Sequence, residues 1–344
     1  MRGGELLRRG WLTGVVAAAA LGASPALAQQ PSADPVATSI EVHARAITHF
    51  EARDPQWRQF GSLEFRGGLE LTSSARDFGG ISSIRVERDG ARFLAVTDKG
   101  NWLRGRIHYQ GEAPAGIADA EMAPILGADG RPLAARRWYD AEALAEDGGI
   151  VYVGIERVHQ IVRFDYGKHG LTARGQPIKV PPEFKQMPSN KGIEGLVMVP
   201  KGLPLAGTLI ALSERAEDEA GNNRGFLIGG PSPGGFTVRR LEDFDITDAA
   251  LTPRGDLLIL ERRFSMLRGP GMRIRRIPLA AIHPGALVDG PPLIEADYGY
   301  QIDNMEALSV HRAPSGETVL TLVSDDNFSS LQRTLLLQFT LIEP

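Results

Sequence analysis

The chain has 344 residues, 42% of them hydrophobic and 23% charged, an ordinary globular composition with ample material for a core. It contains no cysteine, which excludes a disulfide scaffold, a thiolate metal site, a cysteine nucleophile and a lipid-anchored cysteine. The formal net charge is −4; removal of residues 1–28 takes away three arginines and Glu5, leaving 35 basic against 41 acidic side chains, a balance that argues against nucleic acid as a partner.

The N-terminus reads as a targeting segment. Arg2, Arg8 and Arg9 form a basic start, and Trp11–Leu21 is an apolar run. Pro25-Ala26-Leu27-Ala28 supplies an A-x-A site with cleavage expected after Ala28. Arg8-Arg9 followed by Gly10-Trp11-Leu12 resembles a twin-arginine export signal, and an ordinary secretory signal is the alternative. Either one predicts a periplasmic or secreted protein. The apolar run is short for a membrane span and nothing later resembles one, so no integral membrane contact is expected. Residues 29–38 are polar and proline-containing, and read as a flexible leader.

From residue 39 the chain reads as strands. Residues 39–50 alternate in part, and Phe60–Leu71 is a strand pair or one bent strand. Five units follow. In each, an apolar segment ends on an acid: Phe93–Asp98, Ile150–Glu156, Leu209–Glu214, Leu257–Glu261 and Val319–Asp325. A shorter signature precedes each one. These signatures start at Ser82, Glu142, Glu194, Asp248 and Glu306, at intervals of 60, 52, 54 and 58 residues. A period of roughly 50 residues with several strands per unit is the mark of a β-propeller. The predicted fold is all-β: one propeller over residues 39–344 with five or six blades, closed by N- and C-terminal strands. Residues 39–71 pair with Thr334–Leu341 in the last blade, or form part of a sixth.

A propeller gathers equivalent positions around one axis. The first strand of each blade lines the channel, so Glu142, Glu194, Asp248 and Glu306 are expected near the axis. Asp98, Glu156, Glu214, Glu261 and Asp325 are expected to ring them. Carboxylates brought together need a cation, a proton or arginines to coexist. Oxygen donors without thiolates suit Ca²⁺ or Mg²⁺. Asn190, Asp303 and Asn304 lie close enough in sequence to add oxygen ligands. For the outer acids a second reading stays open. Lys99, Arg157, Arg215, Arg262 and Arg263 follow them, and could pair with them between neighbouring blades.

The densest polar cluster is Ser324-Asp325-Asp326-Asn327-Phe328, followed by Gln332-Arg333-Thr334. Two adjacent acids plus Asn suit a metal or a tight Asx turn, and an arginine at the same mouth suits an anion. The seven histidines show no HExxH or HxH spacing, so a histidine zinc site has no support. There is no G-x-S-x-G, P-loop or dinucleotide fingerprint.

Several motifs together resemble the phytase-like domain of exported bacterial proteins, the family of "esterase-like activity of phytase". They are Phe78–Ile84, Ala95–Gly100, Asn190–Leu196, Ile302–Leu308, Ser324–Phe328 and Gln332–Thr334. The resemblance covers about residues 60–342 and implies a β-propeller and export. Its name implies ester or phosphoester hydrolysis. The calcium-dependent propeller phytases carry a D-P-A-x-W-type segment, of which Arg53–Trp57 is a shortened echo. The expected function is therefore a calcium-assisted phosphoester or ester hydrolase acting on a small anionic or ester substrate as a monomer. Glu142, Glu194, Glu306, Asp248 and Asn304 would hold the metal. Asp325 or Asp326 would orient water, and Arg333 or Arg215 would hold the substrate anion. A non-catalytic ligand- or protein-binding propeller and a lactonase-type propeller enzyme are the alternatives.

Overall fold

Each apolar run becomes the second strand of an antiparallel sheet, flanked on both sides by other strands of its own blade. These second strands are Arg92–Thr97, Ile150–Ile155, Thr208–Glu217, Asp256–Ser265 and Thr318–Ser324. Their near-continuous apolar character follows from burial on both faces. Leu94 and Val96 pack toward the second blade, whereas Ala95 packs toward the fifth. Leu257 and Ile259 face the third blade, whereas Leu258 and Leu260 face the fifth. The core is thus five apolar wedges, one between each pair of neighbouring blades. This computed structural model describes residues 37–189, 191–265 and 269–343. The targeting segment, residues 29–36 of the leader and Asn190 lie outside the described residues.

Five sheets stand in a ring, so the fold is a five-bladed β-propeller. The inner strands are Ile81–Val86, Ala141–Asp147, Ile193–Met198, Asp245–Leu251 and Met305–Arg312, in blades one to five. Residues 38–39 pair with the outer strand of blade one, and His43–Ile47 and Leu63–Thr72 complete blade five. The C-terminal strand Thr334–Leu341 pairs with Leu63–Thr72, Leu337 opposite Gly68. The terminal strands therefore close the fifth blade, and no sixth is formed. Gly68 permits this close pairing: a Cβ there would lie 2.6 Å from Leu337 Cδ2 and 3.0 Å from the Leu336 carbonyl oxygen. In blades two and three the outer edge is covered by returning chain. Leu126–Gly127 runs parallel to Arg174–Pro177, and Leu287–Val288 runs parallel to Gly234–Val238.

Every inner strand carries a register shift near its start. The extra residue is Ser82, Glu142, Glu194, Thr247 or Glu306, in blades one to five. A bulge leaves one residue outside the ladder and re-aims its side chain. In blade four the bulged residue is Thr247, so the repeat is displaced by one position from the sequence reading. Asp248 is equivalent to Ala143, Gly195 and Ala307, not to the glutamates.

That displacement gives Asp248 a different role from the metal ligand expected of it. It lies on the axis, fully buried, and meets Arg85 from blade one. Arg85 donates to both Asp248 oxygens at 3.1 and 3.2 Å. It also donates to the carbonyls of Leu308 (2.9 Å), Leu196 (2.9 Å) and Ala249 (3.1 Å), on the inner strands of blades five, three and four. Ser83 Oγ and the Leu308 amide each donate to Asp248 at 2.9 Å. One guanidinium thus ties four inner strands together and plugs the channel.

Removing one member of a buried pair leaves the other charge uncompensated. Asp248→Ala is expected to lower the unfolding free energy in urea by about 3 kcal/mol or more. The double change Asp248→Leu with Arg85→Met is expected to cost less than the single change. A single-variant loss below about 1 kcal/mol, the range of exposed pairs, would show that the plug does not fasten the ring.

Candidate active site: the acidic mouth

The inner strands begin, and the second strands end, at the same mouth of the channel. The bulges turn Glu142, Glu194 and Glu306 toward it, beside Ser82 and Thr247. Around them lies a second tier whose backbone amides close onto the residue just before each inner strand. These bonds run from Asp98 to Gly80 (3.0 Å), Glu156 to Asp140 (2.8 Å), Glu214 to Gly192 (2.8 Å) and Asp325 to Asn304 (2.9 Å). In blade four the matching register pair is Asp245 and Arg262. Arg262 therefore stands where the other blades carry an acid. Glu261 steps back into the blade, where it pairs with Arg273 at 2.8 Å and Arg275 at 2.5 Å.

The result is eight carboxyl groups in two tiers and the strand starts: Asp98, Asp140, Glu142, Glu156, Glu194, Glu214, Glu306 and Asp325. Among the described residues two cations pair with members of the group, while Lys99 and Arg157 act on Asp98 and Asp140 from further off. Lys191 Nζ lies 2.8 Å from both oxygens of Glu214. Arg262 Nε lies 2.7 Å from Glu306 Oε1, although its N–H does not point at that oxygen, and its NH2 lies 3.8 Å from Glu214. Burial opposes the Arg262 charge, yet Glu306, Glu214 and Glu194 hold its pKa above the ordinary arginine value.

Two cations leave most of the acids unmatched, and the carboxyls respond by holding protons. Burial pushes Glu194 well above its ordinary range, and Glu142 and Glu214 add to the shift. Burial does the same to Glu142, with Glu156 and Asp140 adding. Glu306 is raised to about 8 by burial, against the pull of Arg262. Glu156 is raised to about 7 by burial, although it accepts a 2.7 Å hydrogen bond from the Gly192 amide. Burial and the nearby Asp325 raise Asp98 to about 7, and burial raises Asp325 to about 6. Asp98 Oδ1 is buried without a hydrogen-bond partner.

Three of these acids are placed to share one ion. Glu156, Glu194 and Glu214 are all buried, and each offers an oxygen within 4.8 Å of the others. The donors are all carboxylate oxygens, which suits a hard cation. Of the residues expected to hold the metal, Glu194 belongs to this triad. Glu142 and Glu306 stand beside it, and Asn304 donates to Glu306 Oε1 at 2.9 Å. Asp248 lies on the axis with Arg85 and does not join them.

Of the residues expected to act on substrate, Asp325 faces the group. The others fasten loops. Asp326 Oδ1 accepts from the amides of Gly80 (3.0 Å) and Phe328 (3.1 Å), tying blade five to blade one. Arg333 donates to Gln301 Oε1 and to the Ile302 carbonyl, both at 3.1 Å. Arg215 forms a two-pronged pair with Asp245 across blades three and four. Inter-blade ion pairing thus does occur: Arg262 of blade four reaches the outer acid Glu214 of blade three, as expected, whereas Arg215 takes Asp245 instead of an outer acid. Lys99 sits 3.3 Å over the Phe328 ring, and Arg157 lies over Tyr139.

Fold and site together define a five-bladed β-propeller whose closed channel ends in a mouth of buried carboxyl groups. Residues 76–328 match the phytase-like family, described as "esterase-like activity of phytase", and the chain belongs to that family. No curated protein matches the sequence. Among solved structures, glutaminyl cyclase of Myxococcus xanthus is similar at 11% identity and a TM-score of 0.41, covering 88% of this chain and 98% of its own. A protein of Thermus thermophilus described as a putative oxidoreductase (glucose dehydrogenase) is similar at 15% identity and a TM-score of 0.33, covering 87% of this chain and 99% of its own.

The raised carboxyls fix the sign of a pH dependence. Each holds its proton in the folded state at pH values where the unfolded chain has lost it, so stability falls as pH rises through that interval. For Glu306 the interval runs from 4.5 to about 8. His311 on the far face acts in the opposite sense, since burial lowers its pKa from 6.5 to about 4, and its effect is complete by pH 6.5. Chelator-treated protein is therefore expected to show a falling urea midpoint between pH 6.5 and about 8. Glu306→Gln is expected to flatten that fall. A midpoint that rises across this window in the parent would contradict the assignment.

Proposed function

We propose that the acidic mouth binds a divalent cation, calcium, and that the protein hydrolyses a phosphoester or ester of a small substrate. The observation that carries this reading is the buried triad of Glu156, Glu194 and Glu214, set within a group whose charge Lys191 and Arg262 do not balance. Membership of the phytase-like family supports the reaction class. The N-terminal segment supports export to the periplasm or beyond, and no helix among the described residues is long and apolar enough to cross a membrane.

Glu156, Glu194 and Glu214 are the residues to hold the ion, with Glu142 and Glu306 flanking. A bound cation at such a site neutralises and polarises the ester or phosphoryl oxygen. The chain's own residues do the rest. Asp98 and Asp325, raised to about 7 and about 6, titrate near neutral pH, where a carboxyl best exchanges a proton with water or a leaving group. Lys191 and Arg262 hold Glu214 and Glu306 in place. The plug of Arg85 and Asp248 closes the channel behind them, which limits water at the site.

Calorimetry with calcium on chelator-stripped residues 29–344 tests the metal site. Saturable binding is expected in the parent, weakened at least about tenfold in Glu194→Gln, the loss of one charged ligand. Hydrolysis of p-nitrophenyl phosphate, p-nitrophenyl butyrate and a lactone then separates phosphoester, ester and lactonase activity, each expected to stop with chelator. A folded parent that binds no calcium would sink the metal-assisted reading and favour the ion-paired binding propeller. Binding without turnover on any probe would leave the metal site and remove the hydrolase.

A further inference from the structure

Seven large hydrophobic side chains stand exposed among the described residues, and four of them gather at the mouth end: Phe264, Tyr298, Phe328 and Leu331. Phe264 lies two residues beyond Arg262 on the second strand of blade four, and Tyr298 follows Asp297, which pairs with Gly271 at the same corner. Phe328 and Leu331 belong to the loop that leaves Asp325. Single exposed hydrophobics are normal, but a group of them at the rim of a site marks a binding surface.

Phe328 stands against the acids. A Cβ on Gly80 would lie 2.2 Å from Asp98 Oδ1 and 2.6 Å from Phe328 Cε2, so the carboxyl and the ring edge flank one glycine. The backbone that presents the ring is strained. Asn327 and Phe328 have φ values of 48° and 51°, in the left-handed region that a bulky residue rarely enters. Asp325 Oδ1 accepts from the Asn327 amide at 2.6 Å, and Asp326 Oδ1 accepts from the Phe328 amide at 3.1 Å. Two carboxyl groups thus hold a costly conformation that leaves Phe328 37% exposed at the mouth. Lys99 Nζ lies 3.3 Å over that ring and 3.8 Å from the exposed Asp77. One blade on, Arg157 lies 5.4 Å from the Tyr139 ring centroid and meets no carboxylate within ion-pair distance among the described residues. Lys191, Arg215, Arg262 and Arg333 are already engaged. Lys99 and Arg157 suit one anionic group beside a metal, and the surrounding carboxyls, Asp98, Asp140, Asp325 and Asp326 among them, disfavour a polyanion.

Resting on the hydrolase reading above, we propose that the substrate is an aryl phosphoester, with its flat apolar ring laid along Phe328 and its single phosphoryl group toward the triad and Lys99. Leu331, the most exposed of the four at 92%, extends the apolar surface along the same loop. Aromatic rings favour offset or edge-to-face pairing, so an aryl group gains more from Phe328 than an alkyl group or a sugar does. In this arrangement Phe328 touches the substrate away from the bond that breaks, and it sets specificity.

Calorimetry on calcium-loaded residues 29–344 tests it, with phenylphosphonate, methylphosphonate and inositol hexakisphosphate as probes. The two phosphonates carry the same anionic group and lack the ester bond. Phenylphosphonate is expected to bind about tenfold more tightly than methylphosphonate. In Phe328→Asn, which suits the left-handed backbone and removes the ring, that preference is expected to fall to about twofold. Phe328→Leu keeps an apolar side chain without the ring, is expected to lie between the two, and decides the matter if unfolding midpoints show that Phe328→Asn does not fold. Equal binding of the two phosphonates in the parent, an unchanged preference in a folded Phe328 variant, or hexakisphosphate preferred over phenylphosphonate overturns the proposal and leaves the metal site standing. Binding of neither phosphonate overturns it together with the phosphoester reading of the mouth.

Discussion

The Arg85 guanidinium and the Asp248 carboxylate meet on the propeller axis, and much of the rest follows from that meeting. Five inner strands converge with their carbonyls facing a narrow channel, and Arg85 satisfies three of those carbonyls from neighbouring strands. A neutral side chain in its place would leave them facing a void or water. With the axis filled, the channel ends blindly beneath the mouth. Acids lining a blind mouth lose solvent on one side, and burial is accordingly the largest cause of the raised pKa values of Glu142, Glu194 and Glu306. The plug therefore sets the electrostatics of a site it does not belong to.

The second device is the repeated bulge. A regular inner strand would send alternate residues into the apolar wedges between blades, where a glutamate is not tolerated. One extra residue in each strand lets Glu142, Glu194 and Glu306 leave the ladder while Ala141 and Ala143, or Met305 and Ala307, stay in the core. The same device in blades one and four carries Ser82 and Thr247, which add no charge. Blade four also contributes Arg262 to the second tier. The site is thus asymmetric by residue choice on a symmetric frame: acids crowd blades two and three, and a cation stands at blade four.

The frame is legible in the sequence, because the apolar runs ending at Asp98, Glu156, Glu214 and Asp325 keep one spacing relative to their turns. The closing of the last blade by residues 63–72 and 334–341 is legible too, although the residues alone leave the number of blades open. Blade four is where the pattern misleads. Asp248-Ala249-Ala250 imitates Glu142-Ala143-Leu144 in its order of acid, alanine and apolar residue, but a bulge adds a residue without leaving a compositional trace. Register is read from the bulge: it falls between Ile246 and Asp248 in blade four and between Ala141 and Ala143 in blade two, which aligns Asp248 with Ala143. Partner choice is equally hidden. Arg215 reaches Asp245 on the next blade, and Lys191 reaches Glu214, across distances that local spacing does not encode.

The composite fifth blade has a consequence for how the chain is made. Leu63–Thr72 leaves the ribosome first, and its partner Thr334–Leu341 follows some 260 residues later. Until then the four earlier blades have no closed ring to settle into, and the first of them presents an apolar flank that only blade five covers. A nascent chain of this design keeps that flank exposed until Thr334–Leu341 emerges, so truncation just before that strand is expected to be as damaging as truncation in the middle.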